Sequence, residues 1–142
     1  MPDKSDHGLL LDTHVWLWIE ADPDRLHKAA RTHIKQAARM GKLWVSVMSV
    51  WEIGVLVAKD RIRLSMPVDE WVRQACVTPG LQMLGVIPEV ALESTRLPDS
   101  PYGDPVDRLL IASARQHNLT LVTADEKILA YAKLGHMKAK PA

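Results

Sequence analysis

Four short apolar runs recur along the 142-residue chain, at Leu9–Leu11, Leu43–Val47, Met83–Val86 and Leu119–Thr123. Each is too short for a helix and too uniformly apolar for a strand with one wet face. Helical spacing of apolar residues fills the intervals. It predicts helices at Thr13–Glu20, Pro23–Met40, Val50–Lys59, Val68–Ala75, Pro88–Thr95, Pro105–His117 and Glu126–Lys133. Strands that alternate with helices and are apolar on both faces belong to a parallel sheet covered on each side, an α/β fold. In such sheets a ligand gathers beyond the carboxyl ends of the strands, where the next helices begin.

Apolar residues make up 47% of the chain, enough for one substantial core, and one domain spanning residues 1–142 is expected, with 1–7 and 136–142 as flexible ends. The only cysteine is Cys76, so an intrachain disulfide is impossible, which fits a reducing cytoplasm. The N-terminal MPDKSDHG has no apolar signal core, and no run is long enough to span a bilayer. A cytoplasmic location is the expectation. A net charge of +1 does not announce a nucleic-acid binder, so any attraction for a polyanion has to be local. Two basic clusters exist, Lys59, Arg61 and Arg63, and Lys133, His136, Lys138 and Lys140; they read as a solvated face and a frayed tail. The segment LPDSPYGDP, Leu97–Pro105, reads as a loop between two helices.

Four carboxylates stand where those strands end or those helices begin. Asp12 closes the run LLLD and precedes an apolar helix that it and Thr13 could cap. Ser49 and Glu52 have the spacing of a capping box, yet Glu52 is the only charged residue between Lys42 and Lys59. A carboxylate among so many apolar neighbours needs a partner, and a cation would serve. In GDPVDRLLIASARQ, Asp104 is the natural cap and Pro105 the first helical residue. Asp107 then falls on the stripe Asp107, Leu110, Ile111 and Ala114, which turns it toward the core. Asp125 lies between the run LTLVTA and the last helix, with Thr123 beside it. Each acid has a local explanation as a cap. Four of them converging would repel one another and raise their pKa values unless cations bind between them. Oxygen ligands of this kind suit Mg²⁺ or Mn²⁺; the scattered histidines argue against zinc.

These segments, LLLDTHVWLW, SVWEIGVLVAKDRIRL and DPVDRLLIASARQHNLTLVTAD, resemble in their order and separation the PIN-domain family, and within it the VapC-like toxins of type II toxin–antitoxin pairs. The resemblance implies a three-layer α/β/α sandwich around a parallel sheet of four strands, a fifth being left open because LGHMKAKPA lacks an apolar run. It implies catalytic and metal-holding roles for Asp12, Glu52, Asp107 and Asp125, and a small hydroxyl role for Thr13. It further implies a metal-dependent endoribonuclease, a homodimer and an antitoxin that blocks the acidic cleft. Thr123 and Arg108 are added as candidate substrate contacts, Arg108 for a phosphate. Metal-activated water would leave a 5′-phosphate and a 3′-hydroxyl, with Glu52 or Asp125 orienting the water. Other readings stay open: a PIN nuclease of RNA processing, a DNA substrate, or a noncatalytic interaction domain whose acids are only caps. A phosphoacceptor of the response-regulator kind would need paired acids after the first strand, and Asp12 stands alone there.

Overall fold

The structure is a computed structural model that describes residues 8–99 and 103–142. The expected flexible end at 1–7 and the middle of the proline-rich loop, 100–102, lie outside those residues. Five parallel strands form one sheet in the order β3-β2-β1-β4-β5, with β1 at Leu9–Leu11, β2 at Leu43–Ser46, β3 at Leu81–Leu84, β4 at Thr120–Thr123 and β5 at Lys138–Pro141. Seven α-helices are described: α1 Thr13–Ala21, α2 Lys28–Arg39, α3 Val47–Ala58, α4 Val68–Cys76, α5 Pro88–Ser94, α6 Pro105–His117 and α7 Glu126–Ala132.

The uniformly apolar strands are explained by what lies on each face. Leu9, Leu11, Leu43, Val45 and Val122 pack with Val15, Trp16, Ile34, Ile53 and Trp71 of the first four helices. Leu10 and Leu121 point the other way, onto Val90, Leu110, Ile111, Ile128 and Tyr131 of the last three. The result is the three-layer arrangement read from the alternation. Each fully buried aliphatic side chain contributes roughly 1.5–3 kcal/mol of transfer free energy. Trp16 and Trp71 meet edge to face at 5.3 Å between ring centroids, tying α4 to α1.

The structure departs from the sequence reading in four places. The C-terminal tail is an edge strand rather than a flexible end, since Lys138–Pro141 pairs in register with Thr120–Thr123. A lysine-rich, proline-ended strand gives no apolar run to recognise, and this composition is typical of an exposed sheet edge. The helix expected over Pro23–Met40 is broken: a short 3₁₀ turn at Pro23–Arg25 is followed by extended Leu26 and His27. Leu26 is buried there, and the chain leaves helical geometry to bury it. The third strand begins two residues earlier than Met83, because the left-handed turn at Gly80 (φ +82°) delivers the chain to β2 at Leu81. Finally, α3 starts at Val47 with Ser46 as its cap, so Ser49 and Glu52 lie inside the helix and do not form a capping box.

Gly80 also passes close to the end of α2, where an added Cβ would collide with the carbonyl of Ala38. Gly80→Ala is therefore expected to lower stability by about 2–4 kcal/mol, through both the clash and the positive φ. Urea unfolding followed by circular dichroism checks this; a loss below about 0.5 kcal/mol would contradict the tight turn.

Candidate active site

The order β3-β2-β1-β4-β5 has its reversal at β1, from which the chain runs outward to β2 on one side and β4 lies on the other. A crevice is expected beyond the carboxyl ends of β1 and β4. Asp12 occupies it. Its backbone N–H donates to the Val122 carbonyl at 3.0 Å, which pins the end of β1 to β4. Its side chain is 8% exposed and accepts from the Thr13 N–H at 2.7 Å and from the Thr123 hydroxyl at 2.6 Å. Thr123 is fully buried at the end of β4, and its hydroxyl oxygen also accepts from the Asp125 N–H at 3.0 Å. One hydroxyl thus links Asp12 to the loop that carries Asp125.

Asp125 caps α7, its carboxylate accepting from the N–H groups of Lys127 and Ile128 at 2.8 and 3.3 Å. The cap fixes that carboxylate in orientation, and its charge is felt at Asp12. On the other flank, the Thr13 hydroxyl donates to Ser49 Oγ at 2.9 Å, joining α1 to α3 one turn before Glu52. Glu52 is half-buried, within electrostatic reach of Asp12, Asp104 and His14. Asp104 caps α6 through Oδ1, which accepts from the N–H groups of Val106 and Asp107 at 2.9 and 3.3 Å. Asp107 is half-buried at the head of a stripe in which Leu110, Ile111 and Ala114 are all buried. The cap expected at Asp104 is the one observed.

Burial pushes the Asp12 carboxyl above the ordinary carboxylate range, against the lowering effect of the Thr123 and Thr13 hydrogen bonds and of His14. Burial likewise raises Glu52, opposed by Thr13 and His14 and reinforced by the nearby charges of Asp12 and Asp104. The structure therefore brings Asp12, Thr13, Thr123 and Asp125 into one hydrogen-bonded group with Glu52 beside it. Asp107 stands on the neighbouring helix, and α6 packs against α3. Arg108 Nε donates to the Ser94 carbonyl at 2.8 Å and holds α5 to α6. Three residues near the acids were given no site role by the sequence reading. Ser49 is buried and positions Thr13, and His14 and Asp104 act electrostatically on Glu52. A serine within an apolar helix is the signal for the first, since its hydroxyl must find a partner.

Among the described residues no three His, Cys, Asp or Glu side chains come close enough to enclose a metal ion. The donor chemistry is nonetheless all oxygen, with two carboxyls whose ionisation burial opposes. Such a set fits Mg²⁺, which keeps several of its waters and takes one or two carboxylates directly.

The raised pKa of Asp12 has a consequence for the ion-free protein. A group whose folded pKa lies above its unfolded value contributes stability at low pH that is lost as pH rises through the folded value. In EDTA at pH 7.5, Asp12→Asn is expected to melt above the unsubstituted protein, and the difference is expected to shrink toward pH 4. The amide can donate to Thr123 where the carboxylate accepted. Differential scanning calorimetry decides; a variant less stable at pH 7.5 would show that burial does not strain this carboxylate.

Comparison with known proteins follows the same geometry. The PIN domain family profile matches residues 9–134. The chain is 37% identical over 123 residues to Ribonuclease VapC22 of Mycobacterium tuberculosis (strain ATCC 25618 / H37Rv), covering 87% of this chain and 91% of that protein. Its fold is similar to that in the crystal structure of VapBC2 from Rickettsia felis bound to a DNA fragment from their promoter, with a TM-score of 0.69 at 13% identity over 94% of this chain and 97% of that one. It is also similar to DNA-bound VapBC from Salmonella typhimurium, at TM-score 0.66 and 14% identity with the same coverage, and to FitAcB from Neisseria gonorrhoeae, at 0.62 and 19% over 92% and 95%. The family match spans most of the chain, and the acid-bearing strand ends are those of a parallel α/β sheet: this chain belongs to the PIN-domain family.

Proposed function

We propose that this protein is a divalent-metal-dependent endoribonuclease and the toxin of a toxin–antitoxin pair. The observation that carries the proposal is the buried Asp12 carboxylate at the reversal of the sheet, tied through Thr123 to Asp125 and flanked by Glu52. A cap needs no such burial, and a buried acid raised in pKa is a recurrent mark of a working site. The relative named as a ribonuclease supports RNA as the substrate. Solved assemblies of similar fold that pair two proteins support an antitoxin partner.

Asp12 and Asp107 would contact Mg²⁺ or Mn²⁺ directly, with Glu52 reaching the ion through one of its waters, and a bound ion of this type supplies Lewis-acid polarisation of a phosphate and a water of lowered pKa. Thr123 and the Thr13 N–H keep both Asp12 oxygens oriented, so that the remaining lone pairs face the crevice. Ser49 holds the Thr13 hydroxyl against α3, fixing the distance between the first two acids. Asp125, locked as a cap, adds negative charge near Asp12, and either it or Glu52 would orient or deprotonate the water. Hydrolysis by water leaves a 5′-phosphate and a 3′-hydroxyl. Trp51 is 58% exposed whereas Trp16 and Trp71 are buried, so of these three Trp51 is the one with a face open to stack on an unpaired base. No helix among the described residues is long and apolar enough to cross a membrane. A single domain acting in the cytoplasm as a homodimer completes the proposal.

Cleavage of total RNA in Mn²⁺ tests the reading. Asp12→Asn and Asp107→Asn are each expected to lose about 100-fold or more in rate, and Thr123→Val about 10-fold. EDTA is expected to abolish cleavage, with Mn²⁺ restoring it. Full activity in Asp12→Asn, or activity indifferent to EDTA, would remove the carboxylate site from the mechanism.

A further inference from the structure

The net charge of +1 conceals a strong separation of charge. Residues 25–46 contain six Lys or Arg and no acid, and residues 127–142 contain four and no acid, so ten of the chain's eighteen basic residues lie in two acid-free segments. These segments are α2 with the turn into β2, and α7 with β5. They are far apart in sequence, and the fold brings part of each to one groove, whose lining takes four of the ten: Lys42, Lys133, Lys138 and Lys140.

That groove, of about 970 Å³, runs along β5 and the amino ends of β1 and β4. His33 and Gln36 of α2 and Met40 just after it border it on one side, Lys133 at the end of α7 on the other, and Lys42, Lys138 and Lys140 complete the basic lining. No acidic residue lines it among those described. Of the nearby basic groups, Arg31 is turned to Asp24 and His136 to Asp99, so these two are set aside. Leu9 lies at the groove and Asp12 at the acidic crevice, so the two features occupy opposite ends of the same central strand, about 10 Å apart along it. The edge-strand role of Lys138 and Lys140 explains two of the lysines. It does not explain Lys133, which stands on the opposite wall at the end of α7.

We propose that this groove binds the phosphodiester backbone of single-stranded RNA, as a second contact remote from the acidic crevice; the assignment rests on the ribonuclease reading. The carboxylates repel a polyanion everywhere except where an ion neutralises them. A remote basic groove supplies the affinity that the cleavage site itself lacks. A short oligonucleotide reaches only the crevice, while a long RNA engages both.

The test uses fluorescein-labelled poly(U) of about 30 nucleotides in EDTA, where binding is read without cleavage, by anisotropy across a salt series. The groove variant carries Lys133→Gln, Lys138→Gln and Lys140→Gln together; a control of equal charge change carries Lys59→Gln, Arg61→Gln and Arg63→Gln. The groove variant is expected to bind at least about 10-fold more weakly at 100 mM salt, with the salt slope reduced by roughly 2, as loss of three phosphate contacts to a single strand requires. The control is expected to change less than about 2-fold, and Lys133→Gln alone, on an exposed helix end, to lower the slope by about 0.7. Equal binding by groove variant and wild type overturns the proposal. So does equal loss in the control, self-association of the groove variant with unchanged RNA affinity, or preferential displacement by duplex DNA of equal length. Binding in EDTA is independent of cleavage, so failure of the ribonuclease reading appears separately, as intact RNA after Mn²⁺ is added to the wild-type protein.

Discussion

The bond between the Thr123 hydroxyl and the Asp12 carboxylate, 2.6 Å long and buried, joins the two strands on which the site depends. β1 and β4 are neighbours in the sheet but are separated by more than a hundred residues of chain. Their meeting places an acid where water is largely excluded. Burial pushes its carboxyl above the ordinary carboxylate range, and a cation beside it would favour the charged form. The Thr13 N–H, Ser49 and the capped Asp125 are arranged around that one contact, each removing a freedom that Asp12 and its neighbours would otherwise have.

Much of this was legible in the residues. The apolar runs located β1, β2 and β4 to within a residue or so, because a parallel sheet covered on both faces demands uninterrupted hydrophobicity. The capping rules separated Asp104 from Asp107 correctly, since Pro105 fixes where α6 begins. What the residues hid has physical reasons. β5 is held by backbone hydrogen bonds and by its register with β4, and its lysines and proline suit an edge rather than a core. The α3 start was misplaced because Ser46 and Ser49 are both acceptable caps, and only packing against Thr13 assigns Ser49 to the helix interior. The break before α2 follows from burial of Leu26, a tertiary demand that overrides local helix preference.

Charge tells a similar story. A near-neutral total excluded a uniformly basic protein, yet the fold sorts the charge, with acids at the carboxyl ends of β1 and β4 and a basic groove at their amino ends. The terminal lysines that resemble a frayed tail in sequence form one wall of that groove once β5 is in place. The same strand therefore ends the sheet and supplies two of the lysines that line the groove.

The central claim is that the crevice around Asp12 is a divalent-metal site. Crystals soaked in Mn²⁺ and measured at a wavelength where manganese scatters anomalously test it most directly. The account predicts an anomalous peak about 2.0–2.3 Å from an Asp12 carboxylate oxygen, with water completing the shell, and no such peak in crystals of Asp12→Asn. A well-ordered Asp12 with no manganese beside it, or an ion bound only elsewhere on the molecule, would contradict it.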